Sequence, residues 1–288
     1  MKDAIASCTK EILDLTRFVE ICLDALSAAA KAQSSVRLRA RAKRALGDGD
    51  GVPEQYDLER AAELEAFARQ EAALGFASLF GLCVIKLWSI AETAIEGVVA
   101  HRLADPARRG DHAILRHLKG PLVDFARLGS EDQAARLAQL LAVQVDAKLK
   151  PGVGRFEAVL GPVGLGGGIE DQVRVLILEL QQVRHVYVHN GGLADDRFIK
   201  ACPWLHLASG QRVLLTLRHF FNYALAVKWY IIELRRRTLN CDDTKRIEAT
   251  EVSKKELLDL ITEGLRCQTE EPPTSDRDNR PSERLEKL

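Results

Sequence analysis

Leu180-Gln181-Gln182-Val183-Arg184-His185-Val186-Tyr187-Val188-His189-Asn190-Gly191-Gly192 is the stretch on which the reading of this chain turns. It is the end of an apolar helix that opens near Glu170-Asp171, where two acids in the first turn suit the positive pole of the helix dipole. Asn190-Gly191-Gly192 closes it, because glycine readily takes the left-handed conformation that ends a helix. Before it lies a glycine-rich loop, Gly161-Pro162-Val163-Gly164-Leu165-Gly166-Gly167-Gly168, and after it a connection through Pro203 and Trp204. From Gln211 to Arg237 apolar residues occupy most faces (Leu214, Leu217, Phe220, Phe221, Leu225, Trp229, Ile232), which predicts a second helix central to a bundle.

Working outward, residues 4–46 contain no proline or glycine and space Ile12, Leu15, Phe18, Val19, Cys22 and Leu26 as an amphipathic helix does. One long helix is predicted there. Gly47 to Pro53 is a turn, and a second long helix runs from about Tyr56 to Ala104, ending before Pro106. Residues 111–160 divide into shorter helices at Gly120-Pro121 and Pro151-Gly152. Ser253 and Glu256 have the spacing of a capping box opening a last short helix to about Leu265. The proline-broken, densely charged end is expected to be a disordered tail. No strand pattern competes, so the fold class is all-α. The divisions are an N-terminal helical hairpin (1–75), a helical domain (76–238), a helical extension (239–267) and the tail (268–288).

Composition narrows the setting. The chain is 47% hydrophobic and 28% charged, an ordinary balance for a chain with a packed core. Forty-one basic and 41 acidic residues cancel, so any attraction to a polyanion must be local. Cys8, Cys22, Cys83, Cys202, Cys241 and Cys267 are scattered without C-x-x-C pairs or Cys/His clusters, and His101, His112, His117, His206 and His219 have no ligand spacing. Neither a metal nor a cofactor is expected. The N-terminal residues do not have the form of a secretory signal, and the 14-residue apolar run Ala72 to Ile85 is shorter than the roughly 20 residues of a spanning helix. A cytoplasmic protein without membrane contact is the expectation.

Arg184 and His189 carry the chemistry of the opening stretch. An imidazole with an ordinary pKa of about 6.5 can give or take a proton near neutrality, and a guanidinium offers a planar fork of donors to phosphate oxygens. The negative pole of the helix C-terminus favours the protonated form of His189. On an ideal helix the two residues lie about 140° apart, whereas His185 and His189 share a face. A purely structural role is open too: His189 and Asn190 can satisfy terminal carbonyls while Arg184 faces solvent.

The segment resembles the R-x4-6-H signature of HEPN domains, including a polar residue after the arginine (His185) and a Val-His-Asn-x-Gly ending. Leu160 to Gly168 resembles the loop before the motif helix, and Ala194-Asp195-Asp196-Arg197-Phe198 the acidic stretch after it; the likeness spans about Phe76 to Arg237. The resemblance implies a HEPN helical bundle and a metal-independent endoribonuclease leaving 2′,3′-cyclic phosphate ends. Arg184 and His189 would be catalytic, with His185 and Asn190 supporting them. It also implies a homodimer with paired motifs, RNA as substrate, and a defence or toxin role with a protein partner or antitoxin. Some HEPN toxins are silenced at a tyrosine two places after the motif histidine, where this chain has Gly191. The alternative is a non-catalytic module of the same kind that binds RNA or protein.

Two further features stand outside the motif. Between Asp24 and Asp48 there is no acid while Lys31, Arg37, Arg39, Arg41, Lys43 and Arg44 accumulate. They suit either RNA phosphates or the negative end of their own helix. Glu92 and Glu96 follow the most apolar stretch, where one of them can face inward and orient Arg184 or remain a surface acid.

Overall fold

The structure, a computed structural model, describes residues 2–48, 50–105, 118, 125–146, 149–239 and 243–270. Among these the chain is all-α. Its helices are α1 (Lys2–Ala29), α2 (Ala32–Ala45), α3 (Gln55–Ala73), α4 (Ala77–Ala104), α5 (Ser130–Gln144), α6 (Val153–Leu160), α7 (Asp171–His189), α8 (Asp196–Ala201), α9 (Leu217–Thr238) and α10 (Thr244–Glu270), with single 3₁₀ turns at Gly161–Val163 and Pro203–Leu205. The Gly120-Pro121 break, His112, His117, Cys241 and the tail from residue 271 lie outside the described residues.

α4 is the axis of the bundle. It packs against α1, α5, α6, α7 and α9. It is long and apolar enough to cross a membrane by composition alone, but Phe80, Val84, Leu87, Trp88, Ala91, Ile95 and Val99 are buried in the one core that also holds α7 and α9. Gly81 lets α7 come close, since a Cβ there would overlap the ring of Tyr187. α1 joins the same core through Ile5, Cys8, Ile12, Val19 and Leu23, a stripe at helical spacing.

Both long N-terminal helices predicted from the sequence are broken. The first divides at Ala30-Lys31, in a run with no proline or glycine. α1 follows α4 as far as its apolar stripe lasts; α2 buries no residue and turns back onto α3. Packing, not a breaker residue, sets that bend. The second divides at Gly75-Phe76, where both residues take left-handed φ values of 62° and 56°. Buried Glu71 accepts from the Ser78 hydroxyl at 2.7 Å and from its backbone N–H at 3.3 Å, closing the start of α4 in place of a conventional cap.

The predicted helix from Gln211 begins only at Leu217, because residues 211–216 run extended beside the exit from α7 and Thr216 caps the helix. The predicted start at Ser253 also fails. α10 runs straight through it, and the Ser253 hydroxyl donates to the Ala249 carbonyl instead of capping. The last helix is thus long, laid against α9.

The glycine-rich loop is held by a buried ion network. Arg237 donates to Glu157 at 2.8 Å, to Glu233 at 2.9 Å and to the Leu165 carbonyl at 2.9 Å, while Glu157 also accepts from Tyr230 and from the Gly167 N–H. Gly167 has no Cβ to meet the Arg237 guanidinium, which lies directly over it. Lys254 of α10 completes the set, 2.7 Å from Glu233.

Candidate functional site

α7 ends where its sequence stops. Gly191 and Gly192 take φ values of 59° and 80°, and the Gly192 N–H donates back to the Val186 carbonyl at 3.0 Å, closing the helix with a left-handed turn. The chain then pairs with the segment entering α9. Leu193 and Arg212 form an isolated antiparallel bridge, the Val213 N–H donates to Gly192, and Tyr187 donates its hydroxyl to the Val213 carbonyl at 2.7 Å. Arg212 reaches the Gly191 carbonyl at 3.2 Å, setting a cation on the negative pole of the helix.

His185 and His189 stand side by side on this end, ring centroids 4.7 Å apart and tilted by 51°. This is the i, i+4 geometry. His189 is exposed and His185 half-buried. Burial, followed by the positive charges of Arg197, His189 and Arg184, holds the pKa of His185 below its ordinary value, against a smaller opposite pull from Asp195. Its neutral form is favoured, and a neutral imidazole can accept a proton.

Arg184 is half-buried. Its Nε is shielded from solvent and has no hydrogen-bond partner. Buried donors are usually paired. Asn190 does not cap the helix with its side chain; it donates to Asp195 Oδ2 at 2.8 Å, while Asp195 Oδ1 accepts from the Phe198 N–H at 2.7 Å and caps α8. These bonds, led by the one from Phe198, keep the Asp195 carboxyl below its usual range.

Glu92 and Glu96 do not orient Arg184. Glu92 pairs with Arg155 of α6, whose guanidinium also lies 5.8 Å from the centre of the Trp88 ring. Glu96, raised in pKa by burial and by Glu92, feels Arg155 as its attractive partner. Glu92 lies eleven residues along α4 from Gly81, about 16 Å from where Tyr187 of α7 meets that helix, and there Arg155 of α6 takes it. Arg37, Arg39, Arg41, Lys43 and Arg44 are exposed on α2, outside this cluster.

Sequence reasoning omitted Asp195, Arg197 and Arg212 from the site. Asp195 carried a usable signal, an Asp placed directly before a short amphipathic run as helix caps are. Arg212 carried none, since a bridge between distant segments brings it in. A buried acid also went unnoticed: Glu179 on α7 accepts from Tyr223 at 2.5 Å and Trp204 at 2.8 Å, and burial raises its pKa. It fastens α7 to α9 and to the Pro203–Leu205 turn.

Among the described residues no group of three or more His, Cys, Asp or Glu side chains is placed to hold a metal ion. The site is an imidazole pair whose His185 feels the charges of Arg184, Arg197 and Asp195, with Arg212 on the carbonyl end of the same helix. Compared with protein-family models, curated proteins and solved structures, the chain finds no match.

Proposed function

We propose that this chain is a metal-independent endoribonuclease of HEPN type, cleaving RNA through the paired imidazoles at the end of α7. The observation that carries the reading is the His185–His189 pair, 4.7 Å between centroids, with arginines around it. In the reaction the RNA 2′-oxygen attacks the adjacent phosphorus as its proton passes to a neutral imidazole. The bond from phosphorus to the 5′-oxygen breaks, and that oxygen takes a proton from an imidazolium. The products are a 2′,3′-cyclic phosphate and a free 5′-hydroxyl, and the atoms balance without a cofactor.

His185, favoured in its neutral form, suits the acceptor, and exposed His189 suits the donor. Arg184, half-buried and close enough for its charge to lower the pKa of His185, is the cation of the motif that would meet the phosphate through its terminal guanidinium nitrogens. Exposed Val188 within the motif, and exposed Leu193 and Leu214 beside it, support its meeting a second copy across a two-fold axis, so that the two motifs face one substrate.

The test uses the purified full chain, a labelled single-stranded RNA and EDTA. Wild type is expected to give cyclic-phosphate ends, and His189→Ala to slow cleavage by at least about a hundredfold, the low end of what general acid–base catalysis contributes. Binding without cleavage by wild type, or equal rates for the two proteins, refutes the enzyme. A monomer by light scattering at working concentration refutes the paired site.

A further inference from the structure

α2 is an unusual helix for a neutral protein. It buries none of its residues, its extensive packing is with α3 alone, and it carries Arg37, Arg39, Arg41, Lys43 and Arg44 without an acid. None of the five has an ion-pair partner among the described residues, although α3 beside it is rich in glutamate. The Gln33 N–H donates to Glu65 of α3 at 3.2 Å, a tie between the two helices that uses α2 backbone and none of its cations.

The five cations divide by direction. At about 100° per residue, Arg39 and Lys43 fall on the side that faces α3, and they line the cleft there with Arg60 and with Asp48, Asp50 and Asp57. Charges of both signs compensate one another in that cleft. Arg37, Arg41 and Arg44 fall within about 60° of each other on the opposite side, a stripe about 10 Å long. The stem of Arg44 rests on Gly51, whose missing Cβ leaves room for it. Arg37 and Arg41 are thus exposed away from the cleft, and Arg44 leans over the turn at its end, on a chain whose remainder is net acidic.

We infer that α2 is a docking helix for the phosphate backbone of single-stranded RNA, with Arg37, Arg41 and Arg44 as its contacts. The choice of RNA rests on the proposed cleavage activity; the anionic strand itself rests on the stripe. A row of point charges positions a strand by its phosphates without reading bases. A membrane surface would need an aromatic or leucine face opposite the cations, and that side of α2 is packed on α3. A protein partner would need a cluster of aromatic or apolar anchors, and beside the stripe exposed Leu38 stands as a single apolar side chain among cations.

Affinity for a labelled 20-nucleotide RNA is measured against salt, with every protein in a His189→Ala background so that no cleavage intervenes. Removing three phosphate contacts reduces the salt slope by about 2, which is about a hundredfold in affinity at 0.1 M salt. Arg37→Gln/Arg41→Gln/Arg44→Gln is expected to show that loss, with an unchanged circular dichroism spectrum because no buried side chain is altered. Arg37→Lys/Arg41→Lys/Arg44→Lys is expected to keep the slope. An equal loss in Arg136→Gln/Lys245→Gln/Lys255→Gln, three exposed cations elsewhere, overturns the inference. So does an unchanged slope in the first variant, no RNA binding by the parent, or tighter binding to phosphatidylserine vesicles or duplex DNA than to RNA. Because binding alone is read, failure here is distinct from failure of the proposed cleavage.

Discussion

The start of α9 should make this protein acid-sensitive through one histidine. The Thr216 hydroxyl accepts from the His219 N–H at 3.3 Å, and the Thr216 N–H donates to His219 Nδ1 at 3.2 Å, a reciprocal capping box. Nδ1 must be unprotonated to accept. Burial, and then the charge of Arg218, push the pKa of His219 down to about 4 from 6.5. A folded value below the unfolded one means that protons bind the unfolded chain more readily. The contribution to stability is therefore complete above about pH 6.5 and is lost as pH falls from there toward 4. Linkage gives a loss of up to about 2 kcal/mol between pH 7.5 and pH 5 from this residue. His219→Gln keeps an acceptor for the cap and removes the titration. Urea unfolding of both proteins at the two pH values should show wild type losing about 2 kcal/mol more than the variant. Equal losses would refute the assignment of acid sensitivity to this cap.

Two further outcomes follow from packing. Arg237→Ala leaves buried Glu233 and half-buried Glu157 without their shared cation and should cost about 3 kcal/mol or more in chemical denaturation; a loss under about 1 kcal/mol would mean that Arg236 and Lys254 already suffice. Gly81→Ala should cost about 1–3 kcal/mol by driving a methyl into the Tyr187 ring, and adding Tyr187→Ala should cost less than the two single losses combined. Strict additivity of the two changes would show that helix approach at Gly81 does not depend on that ring.

Much of the candidate site was legible because its signals are local. Helix α7, its glycine stop and the shared face of His185 and His189 all follow from spacing along one helix, and the structure places them so. The partners were not legible. Arg212 arrives through a bridge to Leu193, and Glu92 pairs with Arg155, a residue of α6 that only the packing of the bundle brings to it. Ser253 met the local rule for a helix start, but the preceding residues had already formed helix against α9.

The sequence by itself determined that the fold class is all-α, where the motif helix ends, and that α2 carries a run of cations. These depend on period, propensity and composition, which act within a few residues. Only the tertiary structure decided that the first helix bends at Ala30-Lys31, that Gly75 and Phe76 both turn left-handed, and which arginines surround the histidine pair. Each of those outcomes is set by contacts between segments distant in the chain, and a short-range pattern has no means of recording which distant surface a residue will meet.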